Sequence, residues 1–297
     1  MKRRRLVVAL TAVVLLAALT PAAGQDAVKA EIRQAIDAAY LNAYWNGMDI
    51  KAFLAGWDQG AISPMITPTG EVGQMRVMDW IAREVRRNRQ PPEKKEAKFL
   101  YPTIDVTGDM AMAQVEVMRG ETLMFTDYFP LVKTRTGWKI VGYPYYVHQK
   151  GARPETPAGE GDAVKKVVEN TLVRGLTQDL TPEQVRAGIA SVCDSSLYLP
   201  EIDVVTKLDL APLSKKPQFG AKALPIKTSA FTLIGITGDV AAGKLAVTFE
   251  PGTVMTMYVA LYKLKTGWAI VQIATDKGWE AVFPPPPPPP PPPKRLQ

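Results

Sequence analysis

Ile104-Asp105-Val106-Thr107-Gly108-Asp109 returns as Ile234-Gly235-Ile236-Thr237-Gly238-Asp239, and Lys133-Thr134-Arg135-Thr136-Gly137-Trp138 returns as Lys263-Leu264-Lys265-Thr266-Gly267-Trp268. Both are displaced by 130 residues, so the chain between them recurs without a gap. Asp26-Ala27-Val28-Lys29 matches Asp162-Ala163-Val164-Lys165, and Pro64 matches Pro200, at a displacement of 136. The second copy is therefore six residues shorter between Pro200 and Ile234. Self-similarity of this kind marks a chain built twice. Each copy is about 120 residues, enough to bury its own core. Between the copies, 150–161 is rich in Pro, Gly and charge and reads as a linker. The expected units are 26–149 and a shortened 162–283.

Within the first copy, Val28, Ile32, Ala35, Ile36, Ala39, Tyr40, Ala43 and Tyr44 recur at three- and four-residue spacing, which predicts an amphipathic helix ending near Gly47. A second helix is expected around Ile50 to Trp57 and a third over Met75 to Asn88, with Val77, Trp80, Ile81, Glu84 and Val85 on one side. From Tyr101 the period becomes two, with turns at Thr107-Gly108-Asp109, Arg119-Gly120-Glu121 and Thr136-Gly137. Helices followed by an antiparallel meander make an α+β fold.

Lys2, Arg3, Arg4 and Arg5 precede the uncharged run Leu6 to Leu19 and the small residues up to Gly24, the layout of a secretory signal peptide over 1–24. The apolar run is too short for a permanent membrane helix, so export to the periplasm or medium is expected, with retention as an anchor the alternative. The net charge of +7 falls to +3 without the leader. Arg83, Arg86, Arg87, Arg89, Lys94 and Lys95 are interleaved with Glu84, Glu93 and Glu96, as on a solvated face; nucleic acid is not an expected partner. Cys193 is the one cysteine, which excludes an intramolecular disulfide, and none follows the apolar run to carry a lipid. Ten prolines, Pro284 to Pro293, form a tail segment that as polyproline II would extend about 31 Å.

The order of helix, Asn46-Gly47-Met48-Asp49, short helix, longer helix, then strands carrying Phe125-Thr126-Asp127-Tyr128-Phe129-Pro130-Leu131-Val132-Lys133 and Gly137-Trp138-Lys139-Ile140-Val141, resembles the nuclear transport factor 2-like superfamily. More narrowly it resembles the bacterial group labelled "putative lumazine-binding". The resemblance covers most of 26–149 and reaches 162–283 through the repeat. It implies two tandem cone-shaped α+β domains, each with helices packed on a curved antiparallel sheet around a conical cavity. It does not imply one function, because the superfamily holds isomerases, dehydratases, adaptors and carriers.

Alternation places Phe125, Asp127, Phe129 and Leu131 on one face, matching Met255, Met257, Val259 and Leu261 in the second copy. A face that is apolar throughout one copy is the buried face, so Asp127 points inward. Tyr40, Tyr44 and Trp57 offer it polar partners. Their counterparts are Leu176, Leu180 and Cys193. The expected ligand site is thus Tyr40, Tyr44, Trp57 and Asp127, for a small apolar or aromatic molecule. The alternative is that Asp127 is structural. The steroid isomerases of the superfamily place a tyrosine as Tyr40 stands before Gly47, but Ser63 and Pro64 occupy the region of their general base and neither moves a proton at neutral pH. Glu116 is expected on the opposite, solvated face, and the lone His148 in a packing role. No metal-ligand spacing, catalytic triad or phosphate loop occurs, so neither cofactor nor metal is expected. Three functions stay open: an exported carrier or sensor, an isomerase or dehydratase using Asp127, and an interaction scaffold. Pairing of the two units with each other, or across chains in a homodimer, stays open as well.

Overall fold

The computed structural model describes residues 24–47, 49–86, 96–177, 180–208, 210, 225–250 and 252–276. Residues 1–23 of the leader expected over 1–24, the proline tail and the basic stretch 87–95 lie outside the described residues.

Helix α1 covers 24–36 and continues in wider π-type turns through Asp37–Asn46. Its apolar stripe is buried at Ile32, Ile36, Ala39, Tyr40 and Ala43. Asp49 then caps α2 (Ile50–Gly56), its carboxylate accepting the Ala52 N–H at 3.0 Å. A hairpin of β1 (Trp57–Ile66) and β2 (Val72–Arg76) precedes α3 (Val77–Arg86). This hairpin is absent from the sequence expectation, and it takes Met75 and Arg76 out of the expected third helix. Gly60 and Pro64 interrupt β1, whose register shifts between Trp57 and Ile62, so no clean period of two marks it in the sequence. The meander follows as β3 (Ala97–Thr107), β4 (Met110–Arg119), β5 (Thr122–Thr134) and β6 (Gly137–Gly142), with short β7 (Tyr145–Val147) paired to β5.

The strand order is β2-β1-β6-β5-β4-β3, antiparallel except where β1 runs parallel to β6. In the second unit, α4 (Glu160–Val168, extended through Glu169–Val173 and Arg174–Leu176) and α5 (Pro182–Gly188) precede β8 (Ile189–Leu199), β9 (Val204–Lys207), β10 (Ile226–Thr237), β11 (Val240–Phe249), β12 (Val254–Leu264) and β13 (Gly267–Thr275). Their order, β10-β11-β12-β13-β8-β9 with β13 parallel to β8, is that of the first sheet. The repeated Thr-Gly-Asp turns have Gly108 at φ 58° and Gly238 at φ 55°, a left-handed conformation that favours glycine.

The two sheets lie against each other. Met110, Met112, Tyr128, Val132 and Val141 of the first share a buried cluster with Ala242, Tyr258, Ala260, Tyr262 and Val271 of the second. Each sheet's other face packs on its own helices in a separate cluster. The architecture is four layers, helix, sheet, sheet, helix. Polar contacts fix the docking. The Tyr262 hydroxyl donates to the Pro64 carbonyl at 2.8 Å. The Tyr258 hydroxyl and Lys244 Nζ both reach Asp105 Oδ1, at 2.6 and 2.7 Å.

Glu116 corrects the sequence reading. It lies on the β4 face turned to the other sheet, is 2% exposed, and pairs with Arg153 of the connecting segment at 2.5 Å. A stacked second sheet converts what would be a solvent face into an interface. His148 is buried, with Nε2 at 2.8 Å from Thr126 Oγ1 and Nδ1 at 3.0 Å from the Ala152 carbonyl. No helix among the described residues is long and apolar enough to cross a membrane.

Candidate ligand-binding site

The side of β5 that faces the helices carries Asp127, Phe129 and Leu131, while Tyr128 and Val132 face the other sheet. Asp127 is fully buried. Above it, the wide turns of α1 bring Tyr40, Tyr44 and Trp45 to one end of the helix. A π-type turn advances the chain by more residues per revolution, which crowds these large side chains onto one face. Tyr40 and Tyr44 stack at 5.7 Å between ring centroids, and Trp57 meets Tyr40 edge-on at 5.9 Å. Gly56 lets the end of α2 sit against the Ala39 side chain, closing that side of the cluster.

Tyr40, Tyr44 and Trp57 thus meet in one ring cluster above Asp127. Several members were not singled out in the sequence. Tyr143, in the short link from β6 to β7, shares a 2.7 Å hydrogen bond between its hydroxyl and that of Tyr40. Its ring stacks on Phe129 at 5.5 Å and on Tyr145 at 5.0 Å. Trp45, Phe99 and Phe125 join from α1, β3 and β5. Phe53 and Trp80 join from α2 and α3. The alternation of Tyr143 and Tyr145 about Pro144 was the available sequence signal. Its side could not be assigned, because the chain leaves β6 there. Where a conical cavity was expected, the interior is packed with rings: Tyr40 alone has six ring neighbours between 5.5 and 6.2 Å. Tyr44, Trp45, Trp80, Phe99, Phe125 and Tyr145 are only partly buried and form the rim.

The electrostatics are one-sided. Burial holds the Asp127 carboxyl well above its ordinary pKa, and the nearby Tyr143 hydroxyl draws it back only in part. No Lys or Arg among the described residues acts on it. Neither carboxyl oxygen has a partner in full hydrogen-bond geometry among the described residues. The hydroxyls of Tyr40 and Tyr143 are pushed well up by burial and then by Asp127, and Tyr145 is raised by the same causes. The indole N–H of Trp57 is also buried without an acceptor among the described residues, while that of Trp45 is directed at the Tyr40 hydroxyl. At neutral pH the site therefore offers hydroxyls, indole donors and a carboxyl inclined to keep its proton, inside an aromatic wall.

Ser63, in the isomerase base region, donates to the Tyr143 carbonyl at 3.2 Å and so holds the backbone that carries Tyr143. No group of three or more metal-ligating side chains occurs among the described residues. Trp57 also borders an open cleft of about 770 Å³ between the units, together with Leu54, Lys139, Asp203 and Lys207. In the second unit the helix aligns at a displacement of 132, not the expected 136, so Leu172 and Leu176 stand where Tyr40 and Tyr44 do; with Met255, Met257, Val259 and Ile273 they lie in its apolar core.

Residues 27–146 match the family model described as "Putative lumazine-binding". No curated protein matches the chain significantly. Among solved structures, a nuclear transport factor 2-like protein of unknown function from Shewanella baltica OS155 is 21% identical, over 41% of this chain and 94% of that one, at a TM-score of 0.35. One of unknown function from Silicibacter pomeroyi DSS-3 is 19% identical, over 42% and 98%, at 0.35. A structure titled as a putative dehydratase of the same family, from Streptomyces avermitilis, is 14% identical, over 41% and 97%, at 0.28.

Proposed function

We propose, on the premise that residues 27–146 belong to the "Putative lumazine-binding" group of the nuclear transport factor 2-like superfamily, that the first unit binds a small, partly aromatic molecule at its ring cluster. The protein acts as a carrier or sensor outside the cytoplasm. One observation supports this most: a fully buried carboxyl without a full hydrogen-bond partner sits beneath an aromatic cluster, while the equivalent face of the second unit is apolar. A purely structural carboxyl would be expected to be tied by hydrogen bonds, because leaving it bare costs several kcal/mol. A planar ligand entering between the rim rings would stack on them and take up the unpaired groups.

Native mass spectrometry of the purified chain, taken from a cell extract and also titrated with lumazine, tests the reading. A bound small molecule is expected on the wild type and not on Asp127→Met, which copies the second unit's Met257. No ligand on either protein, with a lower melting temperature for the variant, would overturn it and favour a structural Asp127.

An isomerase or dehydratase using Asp127 as a general acid is the second reading, favoured by a carboxyl whose pKa burial raises, beside two hydrogen-bonded hydroxyls. The carrier reading is preferred because Ser63 serves the backbone and His148 is tied to Thr126 and Ala152. Neither supplies the complementary base.

A further inference from the structure

We propose that the ligand of the first unit is an organic cation, an alkylated or protonated amine that enters by parting the partly buried rim rings and is held by Asp127 against the aromatic cluster around Tyr40, Trp57, Phe129 and Tyr143. This rests on the preceding reading that the cluster binds a ligand, and it names the charge that ligand carries.

Two independent features of the site point the same way. The first is Asp127 itself, fully buried, with neither oxygen in full hydrogen-bond geometry and no described cationic side chain acting on it. The second is what surrounds it. Aromatic faces carry the negative side of the ring quadrupole, so a cage of them attracts a cation and disfavours an anion. Rings reach the cluster from α1, α2, α3, β1, β3 and β5, and from the segment through Tyr143 and Tyr145. A weakly hydrated ammonium with an apolar coat gains from both features at once.

The repeat supplies an internal control. Where the second unit has Met257 for Asp127, the paired strands and helices place Leu172 at the position of Tyr40 and Ile189 at that of Trp57, a displacement of 132 rather than the 136 read from the sequence, with Val259 for Phe129 and Ile273 for Tyr143. The carboxyl and the rings are absent together, on the same fold and in the same core position. A carboxyl serving only to build the fold would not require the rings to go with it; an aromatic cage for a cation requires both.

Before binding, burial favours the protonated form of the carboxyl. On binding, the O–H bond breaks, the proton passes to solvent, and the carboxylate pairs with the ligand's positive charge. The titratable groups on Asp127 are Tyr40 from α1, Tyr143 and Tyr145 from the segment after β6, and Tyr262 from β12. All are tyrosines held neutral, so the proton released on binding comes from Asp127.

The test titrates the full chain with choline and with 3,3-dimethylbutan-1-ol, its uncharged isostere, following tryptophan fluorescence and calorimetry. Choline should bind about tenfold or more tighter than the alcohol. Asp127→Asn, checked for folding by its melting curve, should lose that preference. Equal binding of both probes overturns the cation proposal while leaving ligand binding intact. If neither probe binds but lumazine or an extract ligand does, the cation proposal again falls alone. If nothing binds, the parent reading falls with it. The probe pair on the wild type decides the matter even if the variant does not fold.

Discussion

Burial raises the pKa of the Asp127 carboxyl in the folded chain because it penalises the charged form. This has a pH signature with a definite sign. Below the ordinary aspartate value of 3.8, folded and unfolded chains both hold the proton and the contribution is fully present. As pH rises, the unfolded chain ionises first, and stability is lost until the raised folded value is passed. Asp127→Asn has no proton to lose. Its melting temperature relative to wild type should therefore climb as pH is raised from about 4 towards 7. Asp194, also raised by burial, leaves a residual slope in both proteins. A difference that stays flat with pH would show that Asp127 is ionised in the folded state. Tyr40→Phe removes one side of the 2.7 Å hydroxyl pair and leaves the Tyr143 hydroxyl buried. It should cost about 1–2 kcal/mol in denaturant unfolding.

At the scale of the element, α1 decides the site. Its wide turns end at Asn46, whose side chain accepts the Ala97 N–H at 3.2 Å and donates to the Ala97 carbonyl at 3.4 Å. That clamp ties the end of the helix to the start of β3, beside the partly buried rim rings. Asn46→Ala should lower stability by about 1–2 kcal/mol. It should also speed amide exchange at Ala97, while Tyr128 and Phe129 stay protected. The amphipathic stripe of α1 was legible because it repeats over many turns. The widening was not legible, since a helix of π type differs from an α-helix by where its carbonyls bond, not by residue class. Likewise β1 was hidden by Gly60 and Pro64, and its place in the sheet comes from pairing with β6, a partner about eighty residues distant.

Across the whole molecule, the sheets are locked by side chains that enter glycine positions. Gly238 lies against the Tyr146 ring, Gly142 against Gln272, and Gly235 against Gln114 and Tyr128. Gly238→Ala meets both the ring and a positive φ of 55°, and should destabilise by about 1–3 kcal/mol. Gly120→Ala has a similar φ of 57° but nothing within 4 Å, so it should cost only about 1 kcal/mol. Equal melting shifts for the two would argue against the interlock. Because the sheets share a buried cluster, a protease nick within 150–161 should leave both fragments eluting together on size exclusion until denaturant is added. Export remains a proposal from the leader. N-terminal sequencing of protein from the cell envelope or medium should find the first 24 or so residues removed, and Met1 on soluble cytoplasmic protein would count against it.

The sequence by itself determined the repeat, the α+β class and the inward side of β5. These follow from turn glycines and from period-two alternation, which act over a few neighbouring residues. It also marked Tyr40, Tyr44, Trp57 and Asp127, since internal comparison showed what the second copy lacks there. Only the tertiary structure decided that Tyr143 completes the hydroxyl pair, that Glu116 is buried, and that the two sheets stack face to face. Each of these depends on groups far apart in the chain: Tyr40 and Tyr143, β4 and the segment around Arg153, one sheet and the other. Alternation assigns a residue to one of two faces, but whether the outer face meets water or another sheet is settled by what packs against it.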